Sequence, residues 1–174
     1  MKVWSFDPVA DARCTTLVLG SMPGKASLRA QQYYAHPQNL FWPFMETLLG
    51  VDRSAPYEER MQQLNARGVA VWDVLHSCTR GSSLDSDIVP SSIVPNDLPG
   101  FLAAHPAIRL VCFNGAKAHD TFRRHVLPEL ESPERFAFHR LPSTSPANAS
   151  IPRDRKLEAW RVLAAKGGRR AAHR

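Results

Sequence analysis

The 174-residue chain is long enough for one domain with a proper core and too short for two comfortable ones. Its composition, 44% hydrophobic and 22% charged, is that of an ordinary globular protein, and no apolar run approaches the ~20 residues that span a bilayer. The net charge of +6 sits in residues 153–174, where eight basic side chains stand against two acidic ones, so a polyanionic partner, nucleic acid ahead of a membrane surface, is the class that the charge favours.

Along the chain, Met1–Asp7 has no long apolar stretch and predicts no secretory signal. Thr15–Gly20 reads as a buried strand ending on glycine, and 21–38, rich in Gly, Pro, Ser and Gln, reads as a long loop. Leu40, Phe41, Phe44, Met45, Leu48 and Leu49 form the apolar face of a helix over 40–49. A second helix over 57–66 stops at Gly68, which suits a left-handed C-cap. Val69–Val74 is the second strand, followed by a loop over 76–95 and a short helix through Leu102 capped by Asn96. Ile108–Phe113 is the third strand, Asn114-Gly115 turns into a helix ending near Val126, and Phe136–Leu141 is the fourth strand. After a loop over 142–150, the last helix covers about 153–165, with Leu157, Trp160, Val162 and Leu163 as its contacts. Residues 166–174 lack apolar periodicity and read as a disordered basic tail.

Strands alternating with helices predict a single-domain α/β fold over 1–165, a three-layer α/β/α sandwich around a mostly parallel four-stranded sheet. In such sheets the ligand crevice lies beyond the carboxyl ends of the strands, where loops 20–39, 73–90, 114–116 and 142–150 converge. Three scattered cysteines, Cys14, Cys78 and Cys112, fit reduced thiols in an intracellular, cytoplasmic protein. No Cys or His spacing announces a metal site.

Three segments carry unusual chemistry. Gly20-Ser21-Met22-Pro23-Gly24 after a buried strand is neither a dinucleotide fingerprint, a phosphate loop nor a nucleophile elbow. Tyr33-Tyr34-Ala35-His36-Pro37-Gln38-Asn39-Leu40-Phe41-Trp42 places two tyrosines before a helix; both cannot face one core, and an aromatic face suits an unstacked base. Asn39 there equally suits the N-cap of the next helix. Leu141-Pro142-Ser143-Thr144-Ser145-Pro146-Ala147-Asn148 sets three hydroxyls between stiffening prolines, a fit to phosphate oxygens.

Together with Val69–Cys78 and Gly81–Asp85, these segments resemble the uracil-DNA glycosylase superfamily, its hypoxanthine-DNA glycosylase branch first and the mismatch-specific uracil branch second. The resemblance covers about 15–165. It implies a monofunctional base-excision glycosylase acting on DNA as a monomer, with no metal, cofactor or lyase step. Two departures stand out: Met22 replaces the water-positioning Asn of a G-x-N-P-G motif, and Leu141 replaces a His or Asn. The hypoxanthine branch carries its catalytic Asn in an H-P-x-N segment, which matches Asn39.

On this resemblance Asn39 orients water, Tyr34 stacks on the flipped base, and the Gly20–Gly24 amides, with Ser21 and Met22, meet the base. Ser143, Thr144, Ser145, Pro146 and Asn148 contact DNA, and the prolines or Leu141 wedge into the duplex. Asp73 reads either as a turn or N-cap aspartate or as the group that accepts N1–H of hypoxanthine and repels N1 of adenine. His36 reads as a general base or electrostatic partner, or as a loop histidine bonded to backbone. Two rival readings remain: a serine hydrolase using Ser21, His36 and Asp73, and a DNA-binding module without catalysis.

Overall fold

The computed structural model describes residues 1–164; the basic tail expected over 166–174 and the end of the last helix at Ala165 lie outside them. Thirteen named elements follow in order: β1 Lys2–Trp4, β2 Thr16–Gly20, α1 Lys25–Ala30, α2 Phe41–Leu49, α3 Tyr57–Ala66, β3 Val69–Asp73, β4 Leu75–Thr79, β5 Val94–Pro95, α4 Leu98–Ala104, β6 Leu110–Asn114, α5 Ala116–His125, β7 Ala137–Leu141 and α6 Arg153–Trp160. Four strands form an all-parallel sheet in the order β3-β2-β6-β7.

Strand periodicity divides the core into two layers. Val18, Val69, Val71, Leu110 and Cys112 face α2, α3 and α6, packing on Phe41, Phe44, Leu64 and Trp160. Their neighbours Leu17, Leu19, Ala70, Val111 and Phe113 face α4 and α5, packing on Phe101, Leu102 and Phe122. The three-layer sandwich predicted from the element order is thus the observed one. All four strands carry their carboxyl ends, Gly20, Asp73, Asn114 and Leu141, to one edge.

The structure corrects four local readings. The 21–38 segment contains α1, whose only buried residue is Ser27, so it has no apolar stripe to betray it. The 76–95 segment contains β4 and β5, which join β1 in a small antiparallel sheet. There β4 buries Ser77 and Cys78 instead of an apolar run, and its partner β1 lies at the far end of the sequence. Asp97, not Asn96, caps α4, its carboxylate accepting the Gly100 amide at 3.0 Å. Asn96 is buried and donates instead to the Asp73 and Leu75 carbonyls at 2.8 and 3.1 Å. Leu141 is buried in the core, so no wedge can be made from it.

Phe44 is fully buried on α2 and stays clear of the sheet edge where the loops meet. Phe44→Ala should cost about 3–5 kcal/mol in denaturant unfolding with an unchanged m-value.

Candidate active site

A cavity of about 670 Å³ opens at the carboxyl edge of the parallel sheet. Gly20, Ser21, Met22, Tyr34, His36, Asn39, Asp73, Ser143, Thr144, Ser145, Pro146 and Asn148, drawn from four separate loops, all line it. So do groups that sequence reasoning left without a role in the site, Lys25, Asp85 and Asn114 among them.

Asp73 ends β3, beside Gly20 in the parallel register. It is buried, its Oδ2 has no hydrogen-bond partner among the described residues, and no helix follows for it to cap, since the chain runs through Val74 into β4. The N-cap reading therefore falls. Burial first, and then the negative charge of Asp85, push its carboxyl up to about 7, with Arg80 acting the other way. Gly20 is what makes room: a Cβ there would lie 2.6 Å from Asp73 Oδ1 and 3.2 Å from the Tyr34 hydroxyl.

The paired tyrosines divide as their crowding requires. Tyr33 is buried, donating its hydroxyl to the Asp7 carbonyl at 2.8 Å. Tyr34 adopts the left-handed conformation at φ +57°, uncommon without glycine, which turns its ring into the cavity lining. The ring stacks on Phe41 at 4.2 Å between centroids, and the hydroxyl is buried beside the Asn114 side chain with no hydrogen bond of good geometry among the described residues. Burial and the Asp73 carboxylate push the phenol's pKa well up, with Asn114 opposing.

Asn39 lies just ahead of α2 and its Oδ1 accepts the Phe41 amide at 2.9 Å. The side chain thus supports the helix start while keeping a second carbonyl lone pair and both amide hydrogens for the cavity it lines. His36 is exposed and its Nδ1 accepts the Gln38 amide at 3.1 Å, which puts the proton of the neutral ring on Nε2.

Ser21 donates its hydroxyl to Asp85 at 2.6 Å. It makes no pair with His36, whose Nδ1 is engaged by backbone, so the nucleophile–base contact that a serine hydrolase needs is not formed. Burial raises the Asp85 pKa, and the Ser21 hydroxyl, Arg80 and Lys117 oppose it. Met22 packs its side chain with Leu75, Cys78 and Ile88, leaving backbone as its main polar offering. Arg80 is buried beneath this turn, where it donates through Nη2 to the Pro23 carbonyl while Nη1 has no partner among the described residues.

The 142–150 loop is tied down from three sides. Asn114 exchanges two bonds with Thr144, Nδ2 to Oγ1 at 3.0 Å and the Thr144 amide to Oδ1 at 2.9 Å. Trp160 donates to the Pro142 carbonyl at 2.8 Å, and the buried Lys156 donates to the Asn148 carbonyl. The Leu40 amide donates to the Thr144 carbonyl at 3.0 Å, joining this loop to the start of α2. Thr144 is consequently buried, while Ser143 and Ser145 are partly open and Pro146 is exposed. Asn114 had a legible signal, a lone polar residue closing an apolar strand at the ligand edge; read as a helix opener, it was passed over.

Asp73 predicts a pH-dependent stability of known sign. Its carboxyl titrates near 7 in the folded chain against an ordinary 3.8, so the folded state holds a proton that the unfolded state releases, and stability falls as pH rises across that interval. Asp73→Asn should therefore unfold at a higher temperature than the parent at pH 8, with the difference shrinking toward pH 4. A difference independent of pH would contradict the burial argument.

The chain is similar to known proteins along most of its length. The family model of the Uracil DNA glycosylase superfamily matches residues 8–164. A hypoxanthine DNA glycosylase of Methanosarcina acetivorans is 34% identical over 161 residues, covering 91% of this chain and 95% of its own. A hypoxanthine DNA glycosylase of Methanosarcina barkeri is 36% identical over 119 residues, covering 68% and 74%. The solution NMR structure of a Methanosarcina acetivorans protein, proposed to be a uracil DNA glycosylase, superposes with a TM-score of 0.79 at 32% identity over 95% of this chain and 98% of its own.

Proposed function

The chain belongs to the uracil DNA glycosylase superfamily, and on that premise we propose that it excises deaminated bases from DNA, hypoxanthine first, by hydrolysing the N-glycosidic bond. The observation that carries this reading is the cavity, which gathers an aromatic face, a buried carboxyl and a positioned amide from loops far apart in sequence. An extruded nucleotide needs those three things: a surface to stack on, a group to read its edge, and a group to direct water at C1′.

Cleavage passes through a cationic, oxocarbenium-like sugar while negative charge grows on the departing base. Tyr34 stacks on the base, its ring held by Phe41. Asn39 directs the water through the carbonyl lone pair that the Phe41 amide leaves open, and the backbone amides of Gly20–Gly24 stabilise the leaving charge. Asp73 meets the N1–H and C6=O edge of hypoxanthine. As a carboxylate it accepts N1–H and repels the lone pair of adenine N1; as a neutral acid it also donates to O6, where charge accumulates. Uracil presents the same polarity through N3–H and O4, so it stands second. Ser143, Ser145 and Asn148 contact phosphates, Pro146 is the exposed residue placed to enter the duplex, and Thr144 holds the loop in shape. His36 shapes the turn that carries Asn39. The residues given roles here all come from one chain, which supports action as a monomer.

The test is incubation with duplexes carrying hypoxanthine, uracil, xanthine or a G·T mismatch, scored as alkali-labile abasic sites. Hypoxanthine release supports the reading. Efficient uracil release without hypoxanthine release would move the chain to the mismatch-specific branch, and lesion binding without base release would make it a silent binding module. Asn39→Ala should cut single-turnover excision by roughly a hundredfold or more with little change in DNA affinity. A helix-capping role alone predicts instead about 1 kcal/mol of lost stability and a near-parental rate.

A further inference from the structure

A second depression, of about 200 Å³, lies across the His36–Asn39 turn from the main cavity and shares Tyr34, His36 and Asn39 with it. Its outer wall carries Trp42, Arg53 and Arg60. Arg60 combines a fixed position with a free charge. Arg13, Arg53 and Arg161 each pair with a carboxylate, whereas Arg60 has no such partner among the described residues. It is nonetheless held in place: Nε donates to the Ala55 carbonyl at 3.0 Å, and the guanidinium lies 4.6 Å from the Trp42 ring centre and 5.4 Å from that of Tyr57. Burial pulls its pKa down, the mark of a cation partly stripped of water without a counter-ion.

A partly desolvated cation without a counter-ion costs free energy that an incoming anion offsets. The two Nη groups supply four N–H donors in a planar fork, the geometry that matches phosphate oxygens. Stacking on Trp42 removes most of the side-chain entropy that an exposed arginine would lose on binding. The groove also adjoins the main cavity, since Tyr34, His36 and Asn39 line both. A strand that places its nucleotide there and carries its backbone over the His36–Asn39 turn meets Arg60 on the far side.

We propose that this groove binds a phosphodiester flanking the extruded nucleotide on the same DNA strand, with Arg60 as the recognising fork. This rests on the glycosylase reading and adds a contact that is separate from the 142–150 loop. Arg53 contributes less, since Glu46 already holds it at 3.4 Å.

The experiment is a scan of single methylphosphonates, each neutralising one phosphate around a hypoxanthine in duplex DNA, bound by the parent chain, Arg60→Gln and Arg60→Lys. One flanking methylphosphonate should weaken parental binding about tenfold or more. That penalty should vanish in Arg60→Gln, which also flattens the salt dependence by about one unit of slope. Arg60→Lys keeps its stem on Trp42 and its charge, so it should keep the slope and show a reduced penalty at the same phosphate. Thermal unfolding of each variant confirms that it is folded. A full penalty at every flanking phosphate in both variants, or a parental salt slope in Arg60→Gln, overturns the proposal. Base release read in the same tubes separates the two claims: release without this coupling sinks the groove alone, and coupling without release sinks the glycosylase reading alone.

Discussion

A carboxyl buried without a hydrogen-bond partner is the constraint around which the site is built. Leaving such a group unsatisfied costs about 1–3 kcal/mol, and Asp73 Oδ2 is in that state at the carboxyl end of β3. The surroundings are arranged to tolerate it. Gly20 on the adjacent strand omits the Cβ that would collide with the carboxyl, and Tyr34 takes a left-handed backbone beside it. Arg80 lies deep enough to ease the charge without forming an ion pair with it. A carboxyl kept this way is neutral at a pH where an exposed aspartate is ionised, so it can both donate and accept.

A second feature is the rigidity with which the loops are joined. The start of α2, which carries Asn39, is bonded through the Leu40 amide to Thr144 in the 142–150 loop. That loop is in turn fixed to β6 by Asn114 and to α6 by Trp160 and Lys156. In the proposed mechanism the amide that directs water and the hydroxyls that meet phosphates therefore move as one unit. Positioned catalysis needs that property, because a displacement of about 1 Å costs about a hundredfold in rate.

The parallel sheet and its helices were legible because their apolar positions recur at periods of 2 and 3.6, and because β2, β3 and β6 are near-continuous apolar runs. The small antiparallel sheet was not, since β4 buries Ser77 and Cys78 and pairs with residues at the amino end. Apart from the wedge candidates Leu141 and Pro142, the residues named for the site from sequence line one cavity, because loops at the same edge of a parallel sheet must converge. What periodicity could not reveal was partnership. That Ser21 would bond Asp85, that Thr144 would turn inward to Asn114, and that Asp73 would have no amide to cap all depend on loop paths set by tertiary contacts.

In the proposed mechanism Asp73 reads the base edge as a neutral acid, and the decisive experiment is the pH dependence of single-turnover hypoxanthine excision in the parent and in Asp73→Asn. Asparagine offers the same donor and acceptor pair as the neutral acid but does not titrate. The parental rate should fall as pH rises through about 7, and Asp73→Asn should stay active with a rate level across that range. A level parental profile together with an inactive Asp73→Asn would contradict it.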